Sequence, residues 1–89
     1  MHVIVYDVAN DSKRNKIASM LLDYGDRVQK SVFEAELDIK DVREILANAV
    51  KYMEDGDSLR IYPICRSCRA SIKAIGRSSN ATIPNVAII

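Results

Sequence analysis

The apolar residues of this chain first run together and then fall into stripes. His2 to Val8 reads HVIVYDV, rich in Val, Ile and Tyr and interrupted by a carboxylate near its end. A run with so little alternation fits a buried central strand. Asn10, Asp11 and Ser12 follow, three side chains able to cap a helix N-terminus. Ile17, Met20, Leu21 and Tyr24 then recur at i, i+3, i+4 and i+7, one helical face, which predicts a helix reaching about Tyr24. Gly25 stands where a helix-ending glycine belongs. Arg27 to Leu37 changes its alternation near Lys30–Ser31, so a sharply bent strand or two short strands are expected. Asp38 is expected to cap a second helix to about Asp55, with Val42, Ile45, Leu46, Ala49 and Met53 as its buried stripe and Gly56 as its stop. Asp57 to Ile64 reads as a strand with Leu59 and Ile61 on one face. Pro63 cannot donate to a ladder, so this strand lies at an edge or ends there. Cys65 to Ile75 predicts a short helix with Cys68, Ile72 and Ile75 inward and Arg66, Arg69, Lys73 and Arg77 on the other face. Residues 76–85 read as loop. The apolar end Val86–Ile89 is expected to add as a strand to a sheet, including that of another copy.

Strand, helix, bent strand or hairpin, helix, strand is the order of an α+β sandwich of the ferredoxin-like βαββαβ type, here with an extra C-terminal strand. The chain has 89 residues, room for one core, and a two-lobed enzyme is excluded. The expected organisation is a single domain over 1–89, with its core at about 1–76 and residues 77–89 as a loop and strand for exchange between copies. Composition is 48% hydrophobic and 28% charged, an ordinary globular balance rather than a disordered one. No apolar run reaches a membrane-spanning length of ~20 residues, and no basic segment precedes the first strand, so no membrane partner is expected and a cytoplasmic address is.

The net charge is +1, from 13 basic and 12 acidic side chains, but its distribution is uneven. Residues 34–57 carry three basic and eight acidic side chains, whereas residues 58–89 carry five basic ones and no acid. This admits a mixed solvated surface or a basic face for a polyanion. Lys13, Arg14 and Lys16 crowd the start of the first predicted helix, and Arg66 and Arg69 that of the third. Cations there oppose the helix dipole by about 0.3–1 kcal/mol each, a cost that contact with phosphates would relieve.

Two features carry candidate chemistry. Asp7 closes the first strand, where it could serve a site or cap the next helix. One carboxylate alone is a poor Mg²⁺ site, so a metal at Asp7 requires two copies related by a two-fold axis. Cys65 and Cys68 form a CxxC with no second pair and no nearby His. Inert thiols, a metal shared between subunits and a redox pair all remain open for it. No Gly-rich phosphate loop, HExxH or GxSxG occurs.

Several blocks together closely resemble the CRISPR-associated Cas-two family: VYDV at 5–8, KRNK at 13–16, YG at 24–25, RVQKSVFE at 27–34 and DSLRIYPI at 57–64. The resemblance implies a ferredoxin-like homodimer whose last strand extends the partner's sheet. It implies action with the Cas-one integrase in acquiring CRISPR spacers, as a dimer gripping duplex DNA. It also implies a metal-dependent endonuclease activity on single-stranded RNA or double-stranded DNA, with one Mg²⁺ per dimer held by paired Asp7 carboxylates. By the same match Tyr6, Arg14, Lys16, Arg27, Ser31 and Phe33 fall at positions around that site or in substrate binding. Lys16 stands where an Arg is often found, keeping the charge without the bidentate fork. CxxC is not a general feature of that family. The readings that compete are a phosphodiesterase centred on Asp7, a non-catalytic DNA-binding adaptor, and a metabolite-binding dimer for which no ligand loop is present.

Overall fold

The structure, a computed structural model, describes residues 1–75. It contains β1 (His2–Asp7), α1 (Asp11–Leu21), β2 (Gly25–Gln29), β3 (Val32–Ala35), α2 (Ile39–Ala49) with a 3₁₀ turn at Val50–Tyr52, β4 (Ser58–Pro63) and α3 (Arg66–Ala70). The four strands form one sheet in the order β2-β3-β1-β4, every neighbouring pair antiparallel. This is the expected α+β, ferredoxin-like arrangement with β1 at the centre. The proposed C-terminal strand at Val86–Ile89, the exchange segment 77–89 and Arg77 lie outside the described residues.

Pleating sorts β1 into two faces. Ile4, Tyr6 and Val8 are buried with Ile17, Ala18, Leu21, Phe33, Ala35 and Ile45 in one core. Val3, Val5 and Asp7 alternate with them and lie on the sheet's other face. Ile4, Ile17, Leu21, Phe33 and Ile45 are fully enclosed, and each such side chain contributes about 1.5–3 kcal/mol of burial. Asn10 caps α1 by accepting from the Lys13 amide at 2.9 Å. Asp38 and Asp41 form a reciprocal capping box at the start of α2.

The expected bent strand is two strands reversing at Lys30–Ser31, with a register shift between Arg27 and Gln29. Pro63 is the last residue of edge strand β4, where it removes no interior rung.

Four expectations are corrected. First, α1 stops at Leu21 and Gly25 opens β2 rather than closing the helix. Its glycine is required by space: a Cβ would lie 2.2 Å from the Glu34 carbonyl oxygen. Second, α2 ends at Ala49 instead of near Asp55, passing through the 3₁₀ turn. Gly56, at φ 92°, then turns the chain into β4. Third, Leu46 is 45% exposed, because the buried face of α2 is centred on Ile45 and Ala49. Fourth, α3 is only five residues long, and Cys68 and Ile75 are exposed rather than inward. Ile72 is half-buried.

Candidate nucleic-acid and metal site

The site is built from one end of the sheet. Asp7, the last residue of β1, is exposed and pairs across the ladder with Ser58. Among the described residues its carboxylate makes no hydrogen bond or ion pair, so it does not cap α1; Asn10 does. The strand is delivered to this point by its apolar face, because Ile4, Tyr6 and Val8 can be buried only if Asp7 turns outward.

The turn between β2 and β3 is fastened beside Asp7 by Tyr6 and Arg27. The Tyr6 hydroxyl donates to the Lys30 carbonyl at 3.2 Å. Arg27 donates to the same oxygen through Nε at 3.2 Å and Nη2 at 2.7 Å. The Tyr6 amide donates to the Ser31 carbonyl at 3.2 Å, setting Ser31 next to the Asp7 strand end. Phe33 lies beneath, fully buried, 5.8 Å from the Arg27 guanidinium and 6.2 Å centroid to centroid from the Tyr6 ring. In this chain Phe33 and Tyr6 are thus supports, reaching the surface only through Arg27 and the turn. Burial pushes the Tyr6 hydroxyl above its ordinary value, and the Arg27 and Arg14 guanidinium groups oppose that shift.

On the other side of Asp7, Arg14 donates to the Val8 carbonyl at 3.0 Å and pairs with Asp11. Asp57 is a latch that sequence reading missed. Its Oδ1 accepts from the Ala9 amide at 3.2 Å and its Oδ2 from the Glu54 amide at 2.8 Å. Both oxygens are committed to backbone, so Asp57 offers little to a metal. Arg60 was also missed. It pairs with Val5 while Asp7 pairs with Ser58, so Arg60 and Asp7 share the open face as diagonal neighbours at about 7–8 Å. Strand register could have found it.

Other candidates lie elsewhere. Lys16 projects from α1 over the Tyr52 ring, 5.9 Å from its centroid. Lys13 pairs with Glu54. Partners on the protein therefore offset part of the cationic crowding at the start of α1. Arg66 and Arg69 follow β4, whose Pro63 end pairs with His2 while its Ser58 end pairs with Asp7. Five residue steps at ~3.3–3.4 Å each separate those two ends by about 17 Å. Within one chain the α3 arginines are therefore not brought to Asp7. Arg69 instead donates to Glu36 at 2.7 Å, and Glu36 also lies 3.5 Å from the N-terminal ammonium. Cys65 and Cys68 sit at the same far end, exposed and unpaired as thiols. His2, the only histidine, begins β1 and is likewise remote from Asp7.

Among the described residues no group of three or more His, Cys, Asp or Glu side chains could hold a metal ion. Among the described strand residues at this end, Asp7 is the uncommitted carboxylate. That fits a hard cation that keeps most of its water ligands, provided a second copy supplies the facing carboxylate. Among the described residues no helix is long and apolar enough to cross a membrane.

Known proteins resemble this chain in sequence and in fold. The family model for CRISPR associated protein Cas2 matches residues 1–72. The CRISPR-associated endoribonuclease Cas2 1 of Chloroflexus aurantiacus is 43% identical over 77 residues, covering 84% of this chain and 83% of that protein. The CRISPR-associated endonuclease Cas2 2 of Thermus thermophilus is 40% identical, covering 72% of each. The crystal structure of Streptococcus pyogenes Cas2 at pH 6.5 superposes with a TM-score of 0.73 at 26% identity, over 85% of this chain and all of that one. The β1–Asp7 strand end, the fastened turn and the antiparallel sheet all fall inside the matched segment, and the chain belongs to the CRISPR-associated Cas2 family.

Proposed function

We propose that the chain is a divalent-metal-dependent endonuclease acting as a homodimer, in which two Asp7 carboxylates hold one Mg²⁺ between subunits. The observation that carries this reading is the exposed, uncommitted Asp7 beside a turn fixed by Tyr6 and Arg27. The names of the relatives, endoribonuclease and endonuclease, support the reaction class. The bound cation would place positive charge on the scissile phosphate and acidify a water. Arg27 and Arg14 each keep guanidinium N–H groups beyond those donated to backbone, able to neutralise charge developing on phosphate oxygens. Ser31 offers a hydroxyl at the same rim. Lys16, Arg66 and Arg69 would track the backbone away from the cut, where contacts fix position rather than sequence. Single-stranded RNA and double-stranded DNA are the candidate substrates, and the cellular role is spacer acquisition with the Cas-one integrase.

One observation favours a second reading, a non-catalytic DNA-binding adaptor in the integration complex. Among the described residues Asp7 belongs to no group of three or more metal-ligating side chains, and the only histidine is at the far end of β1. Among the described residues no histidine stands beside Asp7 to act as a general base. Cleavage of labelled single-stranded RNA and duplex DNA separates the two, using protein shown to be dimeric. Cutting with Mg²⁺ that is abolished by EDTA and by Asp7→Ala, with the dimer intact, supports the endonuclease. No cutting, or equal cutting by the variant, leaves the adaptor.

A further inference from the structure

We propose that Cys65 and Cys68 form a thiol–disulfide exchange site, with Cys65 as the attacking thiol toward low-molecular-weight dialkyl disulfides and Cys68 as the resolving thiol. The pair lies at the opposite end of the sheet from Asp7, so the nuclease reading does not account for it. Both thiols are free and exposed. Cys65 occupies the joint between β4 and α3. There its Sγ accepts from the Cys68 amide at 3.4 Å and lies 3.4 Å from the Ser67 hydroxyl. Ser, Thr, Asp or Asn usually fills such a position, and sulfur is a weaker acceptor than oxygen. Capping therefore gives no reason to prefer sulfur here.

The geometry suits exchange chemistry in two ways. First, the contact to the Cys68 amide holds the Cys65 sulfur over the residue that must resolve it. Cys65 is the extended residue that caps the turn and Cys68 is the third residue inside it, so the two thiols lie on one side of that turn, and closing the disulfide brings their Cβ atoms to about 3.5–4.5 Å. Second, the surrounding donors favour the thiolate. The Ser67 hydroxyl, with the Cys68 amide and thiol, lowers the Cys65 thiol from 9.0 to about 7. A thiol with a pKa near ambient pH is the best placed to attack a disulfide. Tetrahedral zinc wants four ligands, and the described residues supply no third ligand near this pair.

The chemistry balances as follows. Cys65, its proton given to solvent, attacks one sulfur of a disulfide RSSR. A Cys65–SR mixed disulfide forms, and RS⁻ leaves and is protonated. Cys68, deprotonated in turn, attacks the Cys65 Sγ, forming the Cys65–Cys68 disulfide and expelling the second RS⁻. The protein loses two electrons and two protons, and one RSSR becomes two RSH.

The full-length chain is incubated with excess glutathione disulfide across about pH 5 to 10.5, a range bracketing both the lowered Cys65 value of about 7 and the ordinary 9.0. The products are acid-quenched and weighed by intact mass spectrometry. The wild type should lose two hydrogens and remain free of intermolecular disulfides. Cys68→Ser should stop at a glutathione adduct, its rate half-maximal near pH 7. Cys65→Ser should react roughly three- to tenfold more slowly near pH 6, a thiolate advantage partly offset by lower nucleophilicity. Serine keeps a capping oxygen at residue 65, so this variant retains the turn. Any of four results overturns the proposal: a wild type that stays dithiol, one that accumulates the adduct without closing, equal rates for the two variants, or a half-maximal pH near 9.

Discussion

Replacing Gly25 by alanine should cost this protein about 2–4 kcal/mol, from overpacking plus a weakened ladder bond. The added Cβ would sit 2.2 Å from the Glu34 carbonyl oxygen, 2.5 Å from the Ala35 Cβ and 2.8 Å from the Ala35 Cα. Comfortable contacts between carbons are about 3.5–4.0 Å, so β2 must move outward by about an ångström. None of the three atoms can rotate aside: two are backbone and the third is a methyl stub. The Gly25–Ala35 rung, the first of the β2–β3 ladder, stretches as a result. Overpacking accounts for about 1–3 kcal/mol, and the rung for about 0.5–1.5 kcal/mol. At ~0.05–0.15 kcal/mol per residue the whole chain has about 4–13 kcal/mol to lose. The midpoint should fall by roughly 8–30 °C, at about 4–8 °C per kcal/mol in a domain of this size. Gly56→Ala is the matched control. It meets no atom within 4 Å, and its penalty is only that of φ 92°, about 1–2 kcal/mol. Urea unfolding followed by far-UV circular dichroism at one protein concentration measures both. A Gly25→Ala loss under about 1 kcal/mol, or a larger loss for Gly56→Ala, would refute the close-approach reasoning.

Tyr6→Phe removes one of three donors to the Lys30 carbonyl. That oxygen keeps both Arg27 bonds, so urea unfolding should show a loss of only about 0.5–1.5 kcal/mol. Asp7→Asn should leave stability within about ±0.5 kcal/mol, because the side chain is exposed and unbonded, while abolishing Mg²⁺-dependent cleavage. Arg66 is exposed and unpaired among the described residues. If it touches phosphate, Arg66→Ala should reduce the slope of log affinity for duplex DNA against log salt by about 0.9. Cys65 has a folded value of about 7 against an ordinary 9.0. A lowered thiol contributes stability that is full above 9.0 and lost as pH falls through about 7. In denaturation at graded pH, Cys65→Ser should lose that dependence, while the native protein's alkylation rate should be half-maximal near pH 7.

Most of the fold was legible because its signals are local. The apolar run of β1, the capping residues Asn10 and Asp38, and the edge position of Pro63 follow from residue type and spacing. The misreadings came from tertiary contacts. Gly25 has the same sequence context as a helix stop, and only the approach of Glu34 and Ala35 distinguishes a strand glycine. Leu46 lies one step from Ile45 on the helix wheel, and which of them is enclosed depends on where the sheet lies. Cys68 and Ile75 show helical spacing, but a five-residue turn past the sheet's end has no core to face. At the site, Asp7 was readable as a strand end. The commitment of Asp57 to two backbone amides and the register that sets Arg60 diagonal to Asp7 were not, since both depend on strand pairing.

Strand pairing also sets a length requirement on the substrate. Asp7 pairs with the Ser58 end of β4, and α3 follows the Pro63 end. A strand of nucleic acid meeting both Asp7 and Arg66 of one chain must therefore cross at least the ~17 Å of the sheet. At ~3.4 Å per nucleotide along a duplex strand, that is about five nucleotides. Duplexes comfortably longer than this should show the Arg66→Ala loss of salt slope, whereas oligonucleotides of about three or four should bind and be cut alike by wild type and variant. Fluorescence anisotropy over a ladder of lengths at two salt concentrations measures the onset. If Arg66→Ala weakens the shortest oligonucleotides as much as the longest, Arg66 reaches the cut from a neighbouring chain rather than along its own. The separation seen within one chain would then not set the footprint.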